Sequence, residues 1–296
     1  MKLNSFLTKS TKKSHWLIRQ STANLRILPH FIIFGVARGG TTSLYNYLTA
    51  HSHIASATTK EIMFFDHRFH LGLNWYKAHF PTFIYPWVKK PFVTGEASPS
   101  YLYHPMVPAR IKEILPAIKL IILLRNPVDR AYSHYAMKLR QGQETLPFEI
   151  AVKHQLRELE LFEQERILGN DNYFQRVYHP QAYLSKGIYF VHLRRWFSLF
   201  NKDQILVLQS EDFYTDPETI LQKTLEFLEL SKSTLKKYEQ YNADGQHFAL
   251  TSSKDKLKGK KHEQMDSSFR QQLIDYFKPH NQRLYELLDR DFGWEK

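Results

Sequence analysis

The chain has 296 residues, 43% hydrophobic and 15% aromatic, which excludes a disordered polymer and allows a sizeable buried core. It contains no cysteine, so disulfide and thiolate chemistry are excluded, and no apolar run approaches the roughly 18 residues of a membrane span. A formal net charge of +12 calls for an anionic partner: nucleic acid, a membrane surface, or a phosphorylated or polyanionic substrate.

The first twenty residues, MKLNSFLTKSTKKSHWLIRQ, are basic but lack the apolar block of a secretory leader. Residues 1–29 read as an amphipathic arm capable of weak contact with a membrane surface, and residues 30–296 as one domain. The expected location is cytoplasmic. HFIIFGV (30–36) is a short apolar run ending in glycine, the mark of a buried parallel strand. TTSLYNYLTAH then reads as a helix with Leu44, Tyr47 and Leu48 on one face and threonines to cap its start. FVTGEASPSYL (92–102) reads as a strand ending at Gly95 and Glu96. KLIILLRNPVDRAYSHYAMKL (119–139) repeats the strand-to-helix pattern, with Asn126 as N-cap, Pro127 as first helical residue, and an apolar stripe through Val128, Tyr132, Tyr135 and Leu139. A third unit has a strand at QILVLQ (204–209) and a helix opening at Asp216-Pro217. Residues 265–288 read as two helices separated near Pro279. The alternation predicts an α/β protein: a P-loop-like three-layer fold with a central, mostly parallel sheet flanked by helices, and ligands at the carboxyl ends of the strands.

Gly35 and Gly40 have the spacing of a nucleoside-triphosphate loop, G-x-x-x-x-G-K-[ST], but Thr41 stands where the lysine belongs. Arg38 is the loop's cation. Glycines let the backbone approach a phosphate, and the helix opening at Thr41 turns its N–H groups toward that anion. The same residues also suit an ordinary tight turn. Loss of the lysine counts against ATP or GTP hydrolysis, where lysine and magnesium together neutralise the phosphates. A sulfuryl donor fits better, because the SO3 unit carries less charge and needs less clamping. Arg38 then stabilises the leaving oxygen through charge and hydrogen bonds alone, since a guanidinium does not give up its proton.

Arg125 and Ser133 can grip a second phosphate; alternatively Arg125 forms a local ion pair with Asp129. Glu61 and Asp66 lie among aromatics, and a carboxylate desolvated by Phe64 and Phe65 suits a general base, although a solvated surface carboxylate is the commoner case. KDKLKGKKH (254–262) is either a basic flap over an anion or a solvated loop.

GVARGGTTSL, KEIMFFD, GLNWY, GEASPSYL, LRNPVDRAYSHY, KGKKHEQMD and the closing FGW occur in this order between Phe31 and Trp294. In this the chain resembles the carbohydrate sulfotransferases that use 3′-phosphoadenosine 5′-phosphosulfate (PAPS), closest to the heparan sulfate glucosaminyl N- and 3-O-sulfotransferase domains. The resemblance implies that Arg38, Gly39, Gly40, Thr41 and Thr42 wrap the 5′-phosphosulfate and that Arg125 and Ser133 hold the 3′-phosphate. Lys258, Gly259, Lys260, Lys261 and His262 would close over the donor, with Phe248 near the family's aromatic contact. Glu61 takes the place of the catalytic base, and Lys60 and Asp66 beside it are candidates for acceptor contact. The implied product is PAP, no metal is implied, and the expected partner is a carbohydrate or glycolipid acceptor rather than nucleic acid.

The sequence departs from the family at four places. Arg38 stands where lysine is usual, Met63 where 3-O-sulfating relatives often place histidine, and Ala97 where they place a polysaccharide-binding lysine. The cysteines flanking the C-terminal flap are missing. Two other classes compete: a P-loop kinase or NTPase, with Glu211 and Asp212 near a strand end as magnesium carboxylates, and a nucleic-acid-binding module using the basic charge. The second lacks any helix-turn-helix or RNA-binding pattern.

Overall fold

A computed structural model of the chain describes residue 14 and residues 16–83, 92–167, 179–241, 247–248 and 265–295. Five strands, β1 (Phe31–Gly35), β2 (Ile54–Ser56), β3 (Val93–Ala97), β4 (Lys119–Leu124) and β5 (Ile205–Gln209), form one sheet in the order β2-β3-β1-β4-β5. Every pairing is parallel. All five residues of β1 are buried, as a central strand covered on both faces requires.

Alternation along the strands sorts the core into two layers. Ile32, Phe34, Leu120, Ile122 and Leu124 face Tyr76, Tyr101 and Trp196 on one side. Phe31, Ile33, Ile121 and Leu123 face Leu44, Leu48, Leu221 and Leu225 on the other. A third cluster joins the helices Pro127–Arg140, Phe148–Ile167 and Ser267–Leu288 through Val128, Tyr135, Phe148, Leu273 and Phe277. The architecture is the expected three-layer, P-loop-like α/β fold, with a sheet that is wholly parallel.

Asn126 and Asp216 cap their helices as expected, the first accepting from the Val128 and Asp129 amides and the second from Thr219. Two expectations are corrected. The helix Thr41–Thr49 takes Gly40 in a left-handed conformation as its N-cap, so the threonines lie inside the first turn. Ser267–Leu288 is one helix with Pro279 inside it. A mid-helix proline costs about 3 kcal/mol; here buried Leu273, Ile274 and Phe277 before it and Asn281 and Leu284 after it hold both halves to the same core. Of the N-terminal arm, Arg19 donates to the carbonyls of Ala78 and Phe80, and Trp16 packs 4.7 Å from the His79 ring. Among the described residues no helix is long and apolar enough to cross a membrane.

In this topology the chain leaves β1 for β2 and β3 on one side, then returns to β4 on the other. The carboxyl ends of β1 and β4 thus flank the crevice where open parallel sheets bind ligands.

Candidate active site

The loops that leave β1 and β4 form one wall of a cavity of about 650 Å³, within the range of small-ligand sites. Gly39 packs flush against β4: a Cβ there would lie 2.7 Å from the Leu123 carbonyl oxygen. Gly40, at φ 94°, turns the chain into the helix that starts at Thr41. The first-turn amides of that helix have no intrahelical acceptor, and Thr41 and Thr42 line the cavity at this end.

Arg38 also lines the cavity, and its Nε donates to Ser133 Oγ at 3.1 Å. Its carbonyl oxygen accepts from Arg125 Nη1 at 3.0 Å. Arg125 does not pair with Asp129, whose carboxylate is bound to Arg270 Nη1 at 2.6 Å. Its guanidinium stays at the cavity, 5.9 Å from the Tyr214 ring centroid. The two arginines expected to anchor opposite ends of a doubly phosphorylated ligand therefore open onto the same space.

The facing wall comes from the loop after β2, with Lys60, Glu61 and Met63, and from the turn after β3, with Pro99 and Ser100. The Glu61 amide donates to the Ala97 carbonyl at 3.0 Å and the Met63 amide to Ser98 Oγ at 3.1 Å. Arg38, Glu61 and Met63 all have positive φ, and they are three of the five such non-glycine residues among those described. Each costs on the order of 1–2 kcal/mol, so backbone strain is concentrated where the two walls meet.

The surroundings of Glu61 differ from the sequence expectation. Phe64 and Phe65 turn into the core, where Phe64 stacks on Tyr76 at 4.5 Å, and neither ring desolvates the carboxylate. Glu61 Oε1 instead accepts from Lys60 Nζ at 2.8 Å.

Beneath this loop lies a carboxylate the sequence reading passed over. Glu96, at the end of β3, is fully buried. Its Oε1 accepts from Tyr76 at 2.6 Å and Tyr101 at 3.1 Å, and its Oε2 from Ser98 Oγ at 2.7 Å. Burial raises its pKa to about 7, against the pull of the three hydroxyls and with a smaller push from Asp66. The same hydroxyls hold the loop that bears Glu61: Ser98 Oγ accepts from the Met63 amide and the Tyr101 hydroxyl from the Phe64 amide at 2.8 Å.

Of the remaining expected residues, Asp66 does not line the cavity. It is buried, and its Oδ2 accepts from Ser100 Oγ at 2.6 Å, so it supports a lining residue. Phe248 pairs through its backbone with Gln240 in a short antiparallel ladder. Its side chain lies outside the described residues, as do Lys258, Gly259, Lys260, Lys261 and His262. The supposed magnesium carboxylates are occupied: Glu211 accepts from the Asn126 amide at 2.8 Å and Trp294 Nε1 at 3.4 Å, and Asp212 from Arg290 at 3.1 Å. Among the described residues no cluster of three or more metal-ligating side chains occurs.

The cavity also contains residues that sequence reading missed: Ser100, Tyr103, His134, Met137, Lys138, Gln141, Lys186 and Tyr214. Ser133, His134, Met137, Lys138 and Gln141 fall three or four residues apart, a second stripe beside the apolar one and readable as such. Lys186 comes from the single turn Ser185–Gly187, and no local pattern marks it.

A strand-loop-helix cradle without its lysine, a second arginine and serine hydrogen-bonded to it, and a carboxylate on the same cavity agree with what sequence comparison finds. The family model described as "Sulfotransferase domain" matches residues 28–290. Mouse heparan sulfate glucosamine 3-O-sulfotransferase 3B1 is 30% identical over 93% of this chain and 67% of its own length. Bifunctional heparan sulfate N-deacetylase/N-sulfotransferase 1 of Xenopus laevis is 32% identical over 88% of this chain, which spans 30% of that protein. A crystal structure of a sulfotransferase from Alicyclobacillus acidocaldarius superposes with a TM-score of 0.64 at 27% identity, covering 91% of this chain and all of the other. Matched over most of its length in sequence and in fold, the chain belongs to the sulfotransferase domain family and is an enzyme of sulfuryl transfer.

Proposed function

We propose that the protein moves the sulfuryl group of PAPS to a hydroxyl or amine of a carbohydrate acceptor, with Glu61 as general base. The observation that carries this reading is the convergence of Arg38, Arg125, Ser133 and Glu61 on one cavity. The loop Arg38–Thr42 suits the 5′-phosphosulfate, combining one guanidinium, two hydroxyls and a helix N-terminus. Arg125 and Ser133 suit the 3′-phosphate. Since Arg38 Nε bonds Ser133 Oγ at 3.1 Å, a doubly phosphorylated ligand held by both must displace or share that hydrogen bond.

In the transfer, Glu61 removes the proton of the acceptor hydroxyl or amine as that atom bonds to sulfur. The bond from sulfur to the bridging oxygen breaks in line, and its electron pair stays on the phosphate oxygen of PAP. Arg38 stabilises that oxygen electrostatically and donates no proton. Lys60 holds Glu61 Oε1 at 2.8 Å, which orients the carboxylate and leaves Oε2 to receive the proton. Holding the reactants in line and the base together supply the rate, the base contributing about 10²–10⁴.

A carbohydrate acceptor is supported by the activities of the two heparan sulfate relatives. The test pairs calorimetry with PAP and transfer of label from sulfur-labelled PAPS to a panel of oligosaccharides. Glu61→Gln is expected to bind PAP like the native protein and to lose about 10²–10⁴ in transfer rate. Full activity in this variant removes Glu61 as the base; failure of the native protein to bind PAP removes the donor.

A further inference from the structure

One side of the cavity takes no part in the transfer just described. The helix Pro127–Arg140 places Arg130, His134 and Lys138 one turn apart, and the turn Ser185–Gly187 sets Lys186 beside them. His134, Lys138 and Lys186 line the cavity; Arg130 lies behind, fully buried. Arg130 Nη2 donates to the Tyr183 carbonyl, while its Nε and Nη1 have no hydrogen-bond partner. His134 is 5% exposed, with its ring 5.1 Å from that of Tyr183, and its Nδ1 has no partner. Lys186 Nζ lies 5.8 Å from the Tyr103 ring centroid and donates to the His179 carbonyl at 3.2 Å. Lys138 Nζ donates to Gln143 at 2.7 Å.

Among the described residues no carboxylate forms an ion pair with any of these groups. Asp129 is bound to Arg270, and Glu144 accepts from the Tyr183 hydroxyl at 2.8 Å. Partial burial, then Arg130 and Lys138, lower the Lys186 pKa to about 7. Burial and four surrounding cations hold His134 neutral, well below the usual histidine range. In both, burial acts first and the neighbouring cations push the same way, and an incoming anion would relieve that second part. Arg130 is a buried charge without a protein counter-ion, which is a costly way to stabilise the fold and a good way to raise the potential felt by a charged ligand.

We propose that Lys186, Lys138 and His134 form a third anion position in the cavity, apart from the Arg38–Thr42 cradle and the Arg125–Ser133 pair, for an oxyanion group. The lysines supply charge and a neutral His134 donates a hydrogen bond from Nδ1. The group is a sulfate or carboxylate carried by the acceptor, or a phosphate of the donor; the chemistry of recognition is the same. This deepens the sulfuryl-transfer reading of the cavity and rests on it.

The test is calorimetry on the full chain, with PAP and with inorganic sulfate, in the native protein and in Lys186→Met and Lys186→Gln. Circular dichroism and thermal melting check folding, and the two replacements differ in shape, so a packing fault in one is exposed by the other. The expected result is that sulfate binds the PAP-saturated native protein and loses about tenfold or more in affinity in both variants, the scale of a charge-assisted hydrogen bond. If PAP affinity is then unchanged, the position serves the acceptor. If PAP affinity itself falls about tenfold in both variants, the position serves a donor phosphate. The proposal is overturned if neither ligand is affected in either variant, or if sulfate fails to bind and PAP affinity is unchanged. Failure of the native protein to bind PAP would strike the donor assignment instead, and sulfate titration of the free protein would still read this position.

Discussion

Glu96→Gln probes the support beneath the loop that bears Glu61. In the native fold this carboxyl is fully buried and its pKa is raised from 4.5 to about 7, chiefly by burial. A raised folded pKa means that the native state binds the proton more tightly than the unfolded chain does. The stability this contributes is complete below about pH 4.5 and is lost as pH rises through 7. A shift of this size corresponds to about 3 kcal/mol across that window. Glutamine carries no titrating proton, so the stability difference between native protein and variant should change by about that amount between pH 4.5 and 8. Relative to the variant, the native protein is therefore more stable at the acid end than at the alkaline end. Urea unfolding at pH intervals measures the difference directly, and other groups cancel because both proteins carry them. Parallel stability curves from pH 4.5 to 8 would refute the reasoning, since Glu96 would then titrate in the fold as it does in the unfolded chain. Because Ser98 and Tyr101 also hold the Met63 and Phe64 amides, the variant should lose transfer rate while keeping its affinity for PAP.

Three further outcomes follow from the cavity. Arg125→Ala and Ser133→Ala should weaken PAP more than AMP in calorimetry; equal losses for the two nucleotides would detach these residues from the 3′-phosphate. Label transfer from PAPS should proceed in excess EDTA, because Glu211 and Asp212 are already committed to Asn126, Trp294 and Arg290; an absolute magnesium requirement would restore the kinase reading. Gly39→Ala should destabilise the fold by about 1–3 kcal/mol, read as a lower urea midpoint, since its Cβ would lie 2.7 Å from the Leu123 carbonyl oxygen and 2.8 Å from Val36. An unchanged midpoint would mean that the loop has room to move away from β4.

What the sequence revealed and what it hid divide along the range of the interactions involved. The strand at 31–35, the glycine turn and the helix after it are written in adjacent residues, as are Asn126 and Pro127 at the start of the next helix. Each is enforced by local backbone chemistry, so a local pattern suffices. Pro279 misleads for the same reason: its local cost predicts a break, and only packing distant in sequence on both sides keeps the helix whole. Glu61 was found as a carboxylate in the right segment, yet its supposed aromatic setting was wrong, because one helical turn at 64–67 sends Phe64 and Phe65 inward. Glu96 was visible in GEASPSYL only as the end of a strand. Its partner Tyr76 lies twenty residues earlier on another element, and the contact exists because β3 ends against the helix Leu73–Lys77. Lys186 is further still from any motif. The residues proposed to touch the reacting groups are thus the legible ones, whereas those behind them depend on how separate elements register. For this chain, a sequence motif locates the cavity, and the buried network around Glu96 holds the loop that brings Glu61 to it.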